Sequence, residues 1–137
     1  MANHFHLVLR VPDGGLSAGM QYLLSGYARA TNKRYGRRDH LFRQHFFSVR
    51  LERDAHLREA LRYAVLNPVR AGLCKLPEQW LWSSYRACVG LTFVPSFLAA
   101  DDLLRLFGRR PREARQRYRE FVAAAAGVVV SDAVTRT

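Results

Sequence analysis

Carboxylates are scarce in this chain. Its 137 residues hold 11 Asp plus Glu against 22 Lys plus Arg, a formal net charge of +11, and a small domain of that sign usually meets a polyanion. Nucleic acid is the default partner on charge alone. Cysteine is scarcer still: Cys74 and Cys88 are the only two, enough for at most one bridge, which a core of this size does not require. They are read as reduced thiols and the chain as cytoplasmic. No run approaches the ~18–20 apolar residues of a membrane span. The N-terminus has neither the basic nor the apolar region of a secretion signal, so no membrane contact is expected. Fixed-period repeats and low-complexity tracts are lacking too, which leaves one non-repetitive unit. At 49% hydrophobic and 24% charged the chain is too apolar for disorder, and its length suits a single domain.

The first residues alternate. Phe5, Leu7, Leu9 and Val11 interleave with His4, His6, Val8 and Arg10, the period of a strand. Pro12-Asp13-Gly14-Gly15 is a turn cluster, with Ser17 in the N-cap region of a helix. From Leu16, apolar residues recur at Met20, Leu23, Leu24, Tyr27 and Ala28, one face of that helix, and Gly36 stands where a C-terminal stop belongs. A second, less clean alternation covers residues 44–51. A second helix is expected from Asp54 through Leu57, Ala60, Leu61, Ala64 and Val65, stopped or kinked by Pro68 near Leu66 or Asn67. Helical patterns return at about residues 100–107 and 112–126, and residues 131–137 read as a frayed tail. Two strands alone are marginal in water, and the first starts so early that nothing upstream can pair with its edge. The expectation is a chain whose preceding strands are missing or are borrowed from a partner, for instance in a homodimer.

Two small constellations can carry chemistry. His4 and His6, two apart on a strand, project from the same face and can converge on one ion, and imidazole suits a divalent metal. They are equally compatible with partly buried polar residues. Tyr63 and Asn67, four apart on a helix, share a face. They can be a core tyrosine and a helix terminator before Pro68, or a nucleophile and its helper. A tyrosine hydroxyl can attack phosphorus covalently, but a free phenol is a weak nucleophile near neutral pH and needs an activating neighbour.

Asn3-His4-Phe5-His6-Leu7-Val8, Gly26-Tyr27-Ala28-Arg29, His40-Leu41-Phe42, Leu61-Arg62-Tyr63-Ala64-Val65-Leu66-Asn67-Pro68-Val69-Arg70-Ala71-Gly72-Leu73 and Trp82-Ser83-Ser84-Tyr85 occur in this order over nearly the whole chain. Together they resemble the REP-associated tyrosine transposases of the single-tyrosine HUH superfamily. The resemblance implies an α+β, ferredoxin-like HUH domain, here lacking its first strand-helix-strand, with a helical C-terminal tail. It implies a partial catalytic domain over residues 1–90, a basic helical extension over 91–130 and a disordered tail over 131–137. It further implies that His4 and His6 bind a divalent metal, Mg or Mn, that Asn67 completes the site, and that Tyr63 is the nucleophile. Single-stranded DNA would be cleaved and rejoined through a 5′-phosphotyrosine, the metal stabilising charge on the transferring phosphate.

The basic residues offered to DNA are Lys33, Arg34, Arg37, Arg38, Arg43 and Arg70, through counterion release. A second cluster comprises Arg105, Arg109, Arg110, Arg112, Arg115, Arg117 and Arg119. Trp80, Trp82 and Tyr85 either stack on unpaired bases or pack the C-terminal helices over the core. His40, His45 and His56 have no partner spacing and are assigned nothing. Two other functions compete with the strand transferase. One is a truncated remnant that only binds DNA. The other is a metal-dependent hydrolase without covalent catalysis, disfavoured because no further His, Asp or Glu lies at ligand spacing.

Overall fold

The computed structural model describes residues 3–11, 14–43 and 45–134, with side chains as far as 126. It is helical, with 55% helix and no strand among the described residues. The helices are α1 (Leu16–Tyr35), α2 (Asp54–Arg70), the one-turn α3 (Tyr85–Cys88), α4 (Ala100–Arg105) and α5 (Pro111–Val134), with a 3-10 turn at Pro77–Gln79 between α2 and α3. This overturns the α+β, ferredoxin-like fold that the resemblance implied. A strand is stable only through its neighbour's backbone, and no second segment forms a ladder with residues 3–11 or 45–51. The alternating apolar residues therefore stay in water: Phe5, Leu7 and Leu9 are about half exposed, and Phe47 and Val49 more so. The difficulty that two strands make no sheet is decided against the sheet.

The helices match their sequence signals more closely. α1 starts after Gly15 and places Ser17, the expected cap, inside its first turn. It stops at Gly36, which takes the left-handed conformation (φ 62°) and donates its N–H to the Asn32 carbonyl. Asn32 also donates its side-chain amide to the Asp39 carbonyl at 2.9 Å, tying the next loop back onto the helix. α2 runs through Pro68 and ends one turn later than the proline suggested. Its end is a Schellman motif: Leu73 N–H bonds the Pro68 carbonyl at 2.9 Å, Gly72 N–H bonds the Val69 carbonyl at 3.0 Å, and Gly72 adopts φ 69°. Proline costs one internal bond, but the motif satisfies the last carbonyls. Pro12, Asp13 and Gln44 of the expected turn and second strand lie outside the described residues, as do residues 135–137 of the expected tail. α5 itself continues to Val134.

The chain divides into two compact units, one of residues 1–8 with 51–137 and one of residues 9–50. The first has a continuous apolar core of Val65 and Leu66 from α2, Tyr85, Cys88 and Val89 around α3, Ala100, Leu104 and Phe107 around α4, and Ala114, Tyr118 and Val122 from α5. Phe107 and Tyr118 stack tilted with ring centroids 5.0 Å apart, and Tyr85 meets Tyr118 edge to face at 5.5 Å. Tyr85 is thereby assigned to packing. Cys74 and Cys88 are both free thiols, and burial pushes the Cys88 thiol up to about 11. In the second unit α1 buries only Met20, and Tyr27 lies 6.2 Å from Phe42. No helix among the described residues is long and apolar enough to cross a membrane.

Candidate functional site

α2 supplies one wall of the site. Its core face, Val65, Leu66 and Pro68, is buried, and helical phasing turns the flanking Tyr63 and Arg70 outward. Tyr63 is about half exposed. Residues 3–8 belong to the same compact unit and bring both histidines to this wall. The His6 ring meets the Tyr63 ring edge to face, with centroids 5.3 Å apart and planes at 83°. Asn67 Nδ2 reaches His6 Nε2 at 2.6 Å, across 61 residues of sequence. His4 stands beside His6, with centroids 5.1 Å apart and rings nearly perpendicular. His4, His6, Tyr63 and Asn67 thus lie in one cluster, although no sheet among the described residues holds the histidines.

With Asn67 Nδ2 and Asn3 Oδ1 as the facing atoms, the hydrogen bonds assign the imidazole roles. The Asn67 amide N–H can only donate, so His6 Nε2 accepts. His4 Nδ1 lies 2.8 Å from Asn3 Oδ1, which can only accept, so His4 Nδ1 donates and its Nε2 keeps a lone pair. A ring N–H held by an outer acceptor while the other nitrogen keeps its lone pair, as at His4, is how metal-binding histidines are usually held; at His6 the Asn67 N–H takes up the lone pair instead. Desolvation, with the neighbouring His4 adding to it, holds the His6 imidazole below its ordinary range, which favours the neutral ligand form. Turning the Asn67 amide over would put Oδ1 beside His6 Nε2. Two imidazoles and one amide oxygen then form a neutral donor set that fits a divalent transition ion better than magnesium, which prefers an all-oxygen shell. No group of three or more His, Cys, Asp or Glu able to hold a metal occurs among the described residues, so no carboxylate strengthens the set.

Arg70 completes the cluster. Its guanidinium carbon lies over the Tyr63 ring, 5.1 Å from the centroid, so the phenol is flanked by the His6 edge and by a fixed positive charge. The sequence offered Arg70 only as a general DNA contact. The missed signal was its spacing of seven from Tyr63, two helical turns along the same face. The other cations of the DNA set, Lys33, Arg34, Arg37, Arg38 and Arg43, are all exposed in the second unit. None of the five pairs with a carboxylate among the described residues, and between residues 9 and 50 the only acids are Asp13 and Asp39.

The second arginine cluster is largely committed to structure. Arg105 pairs with Asp102 at 3.0 Å, and Arg110 with Glu113 at 3.2 Å. Arg117 donates to the Phe107 carbonyl and Arg119 to the Val89 carbonyl. Arg109, Arg112 and Arg115 have no such ion pair among the described residues. No family model, curated protein or solved structure matches the chain.

Proposed function

We propose that the chain binds single-stranded DNA and cleaves and rejoins it through a covalent bond to Tyr63. The observation that carries this reading is the convergence of His4, His6, Tyr63 and Asn67 from opposite ends of a 61-residue separation, with the Asn67 amide 2.6 Å from His6. Lys33, Arg34, Arg37, Arg38 and Arg43 supply sequence-independent attraction for phosphates. Arg70, beside the phenol, holds the scissile phosphate within reach of it.

In the reaction the Tyr63 oxygen attacks phosphorus and the bond from phosphorus to the 3′-oxygen breaks. One product is a 5′-phosphotyrosine. The other is a strand ending in a 3′-hydroxyl, which takes up the proton the phenol has lost. Reversal with a different 3′-hydroxyl joins two strands without an external energy source. His4, His6 and Asn67 would hold a divalent ion, Mn in preference to Mg, which when bound supplies positive charge to the non-bridging phosphate oxygens.

The test is direct. The protein is incubated with a hairpin-bearing single strand and Mn, and a mass increase equal to one cleaved fragment is expected that is absent in Tyr63→Phe. Folded wild-type protein that gives no adduct overturns catalysis. One observation favours a second reading, a DNA-binding protein without catalysis: His4 and His6 are exposed on a segment with no regular structure, so their geometry is weakly enforced. That reading expects salt-sensitive DNA binding unchanged by His4→Ala or Tyr63→Phe, and no adduct.

A further inference from the structure

In the helical unit, three aromatic side chains stand in solvent around the one-turn helix α3: Trp82 is 87% exposed, Phe93 81% and Phe97 87%. The loop that carries the two phenylalanines is not slack. α3 ends in the same Schellman geometry as α2, with Leu91 N–H on the Arg86 carbonyl at 2.8 Å and Gly90 N–H on the Ala87 carbonyl at 3.1 Å. Val94 and Leu98 pack against the core, and Leu98 N–H closes a turn onto the Pro95 carbonyl at 3.0 Å. Phe93 and Phe97 are the neighbours of these inward anchors and face outward. Two rings are therefore presented by an ordered backbone, at a hydration cost that the fold itself does not recover.

Arginine charge is planted at the same corner. The Arg115 guanidinium lies against Gly90, close enough that a Cβ there would meet Nη1 at 3.3 Å. Arg119 donates to the Val89 carbonyl at 2.8 Å. Arg115 is exposed and has no carboxylate partner among the described residues, and the sequence holds no Asp or Glu between Glu78 and Asp101. Gly90 is three residues from Phe93, a span of at most about 11 Å. Flat apolar rings beside an uncompensated guanidinium match the two halves of an unpaired nucleotide, base and phosphate. Duplex DNA, whose bases are stacked on each other, leaves such rings without a partner.

We infer that Phe93 and Phe97, with Arg115 beside their loop, form a stacking platform for unpaired nucleobases of single-stranded DNA, made of residues that the Tyr63 cluster does not use. This rests on the reading of the ligand as single-stranded DNA but on no step of its cleavage.

The experiment uses the full chain carrying Tyr63→Phe, so that no covalent product forms, and measures binding of a fluorescent oligothymidylate by anisotropy. A strand of equal length with abasic sugars carries the same phosphates without bases. The expected result is tighter binding of the normal strand by tenfold or more. That preference should fall about tenfold for each of Phe93→Ala and Phe97→Ala, and return in Phe93→Trp and Phe97→Trp. Arg115→Gln should reduce the slope of affinity against salt by about one counterion on both strands. The inference is overturned if the alanine variants keep the base preference, if normal and abasic strands bind alike, if no strand binds, or if sedimentation shows a dimer that Phe93→Ala or Phe97→Ala dissociates. An adduct at Tyr63 in a protein without base preference removes the platform and leaves the proposed reaction standing. Base preference without any adduct does the reverse.

Discussion

In the cluster around Tyr63, Asn67 offers the N–H end of its amide to His6 Nε2, and that bond competes with any cation for the same lone pair. Asn67→Asp replaces the donor with a carboxylate, frees the imidazole nitrogen and adds the anionic oxygen the site lacks. The variant should bind Mn about tenfold more tightly, ~1.4 kcal/mol, by titration of the free ion's paramagnetic resonance signal, while Asn67→Leu should bind more weakly than wild type. If Asn67→Asp leaves affinity unchanged, Asn67 does not face the ion. The two pairs were legible in sequence, two apart on an alternating stretch and four apart on a helix, but that they share one site came only from the resemblance. Two contacts were missed. Arg70 over Tyr63 needed the helix to continue past Pro68, and Asn3 against His4 needed a ring orientation that no spacing encodes. Trp82 and Tyr85 are three residues apart and equally aromatic. Only the fold separates them, sending Tyr85 into the core and Trp82 into solvent.

At the scale of elements, glycine chemistry sets where helices stop. Gly72 and Gly90 both occupy the left-handed position after a helix, at φ 69° and 79°. A Cβ at Gly72 meets nothing within 4 Å, whereas at Gly90 it meets Arg115. Gly72→Ala should therefore cost only the conformational strain, about 1–2 kcal/mol, and lower Tm by roughly 4–8 °C per kcal/mol, with Gly72→Asn milder. Gly90→Ala should cost at least as much, because the guanidinium must also move. Equal stability of both variants with wild type in thermal melts would contradict the assignment. Helices were readable because their bonds are local: the period from Met20 to Ala28 and the stop at Gly36 lie within one stretch of chain. Strands were not. Phe5, Leu7 and Leu9 have an alternating pattern broken only by Val8, yet pairing depends on a partner segment that their own sequence does not specify.

Across the whole molecule, the buried core sets the response to alkali. Burial, with Glu78 adding to it, pushes the Tyr85 phenol up to about 12, and burial raises Tyr118 as well. The unfolded chain ionises its tyrosines near pH 10, so this destabilisation is absent below that pH and grows as pH rises from there toward the folded values, where the unfolded chain releases protons that the folded one keeps. Tyr85 alone accounts for about 3 kcal/mol, and urea titrations between pH 9 and 12 should show the decline. The Tyr118 hydroxyl is buried without a hydrogen-bond partner, so Tyr118→Phe should be at least as stable as wild type and should reduce the alkaline loss. Unchanged stability up to pH 12 would place these phenols in water. The basic character of the molecule was plain from composition, but its division was not, because residues 1–8 join 51–137 across an intervening unit. That discontinuity governs assembly during synthesis. His4 and His6 leave the ribosome before the wall they lean on, and that wall shares its core with Ala114, Tyr118 and Val122 of α5. The earliest-made residues of the cluster thus wait on the latest-made helix, and a chain interrupted before α5 should carry the motif without the packed wall behind it.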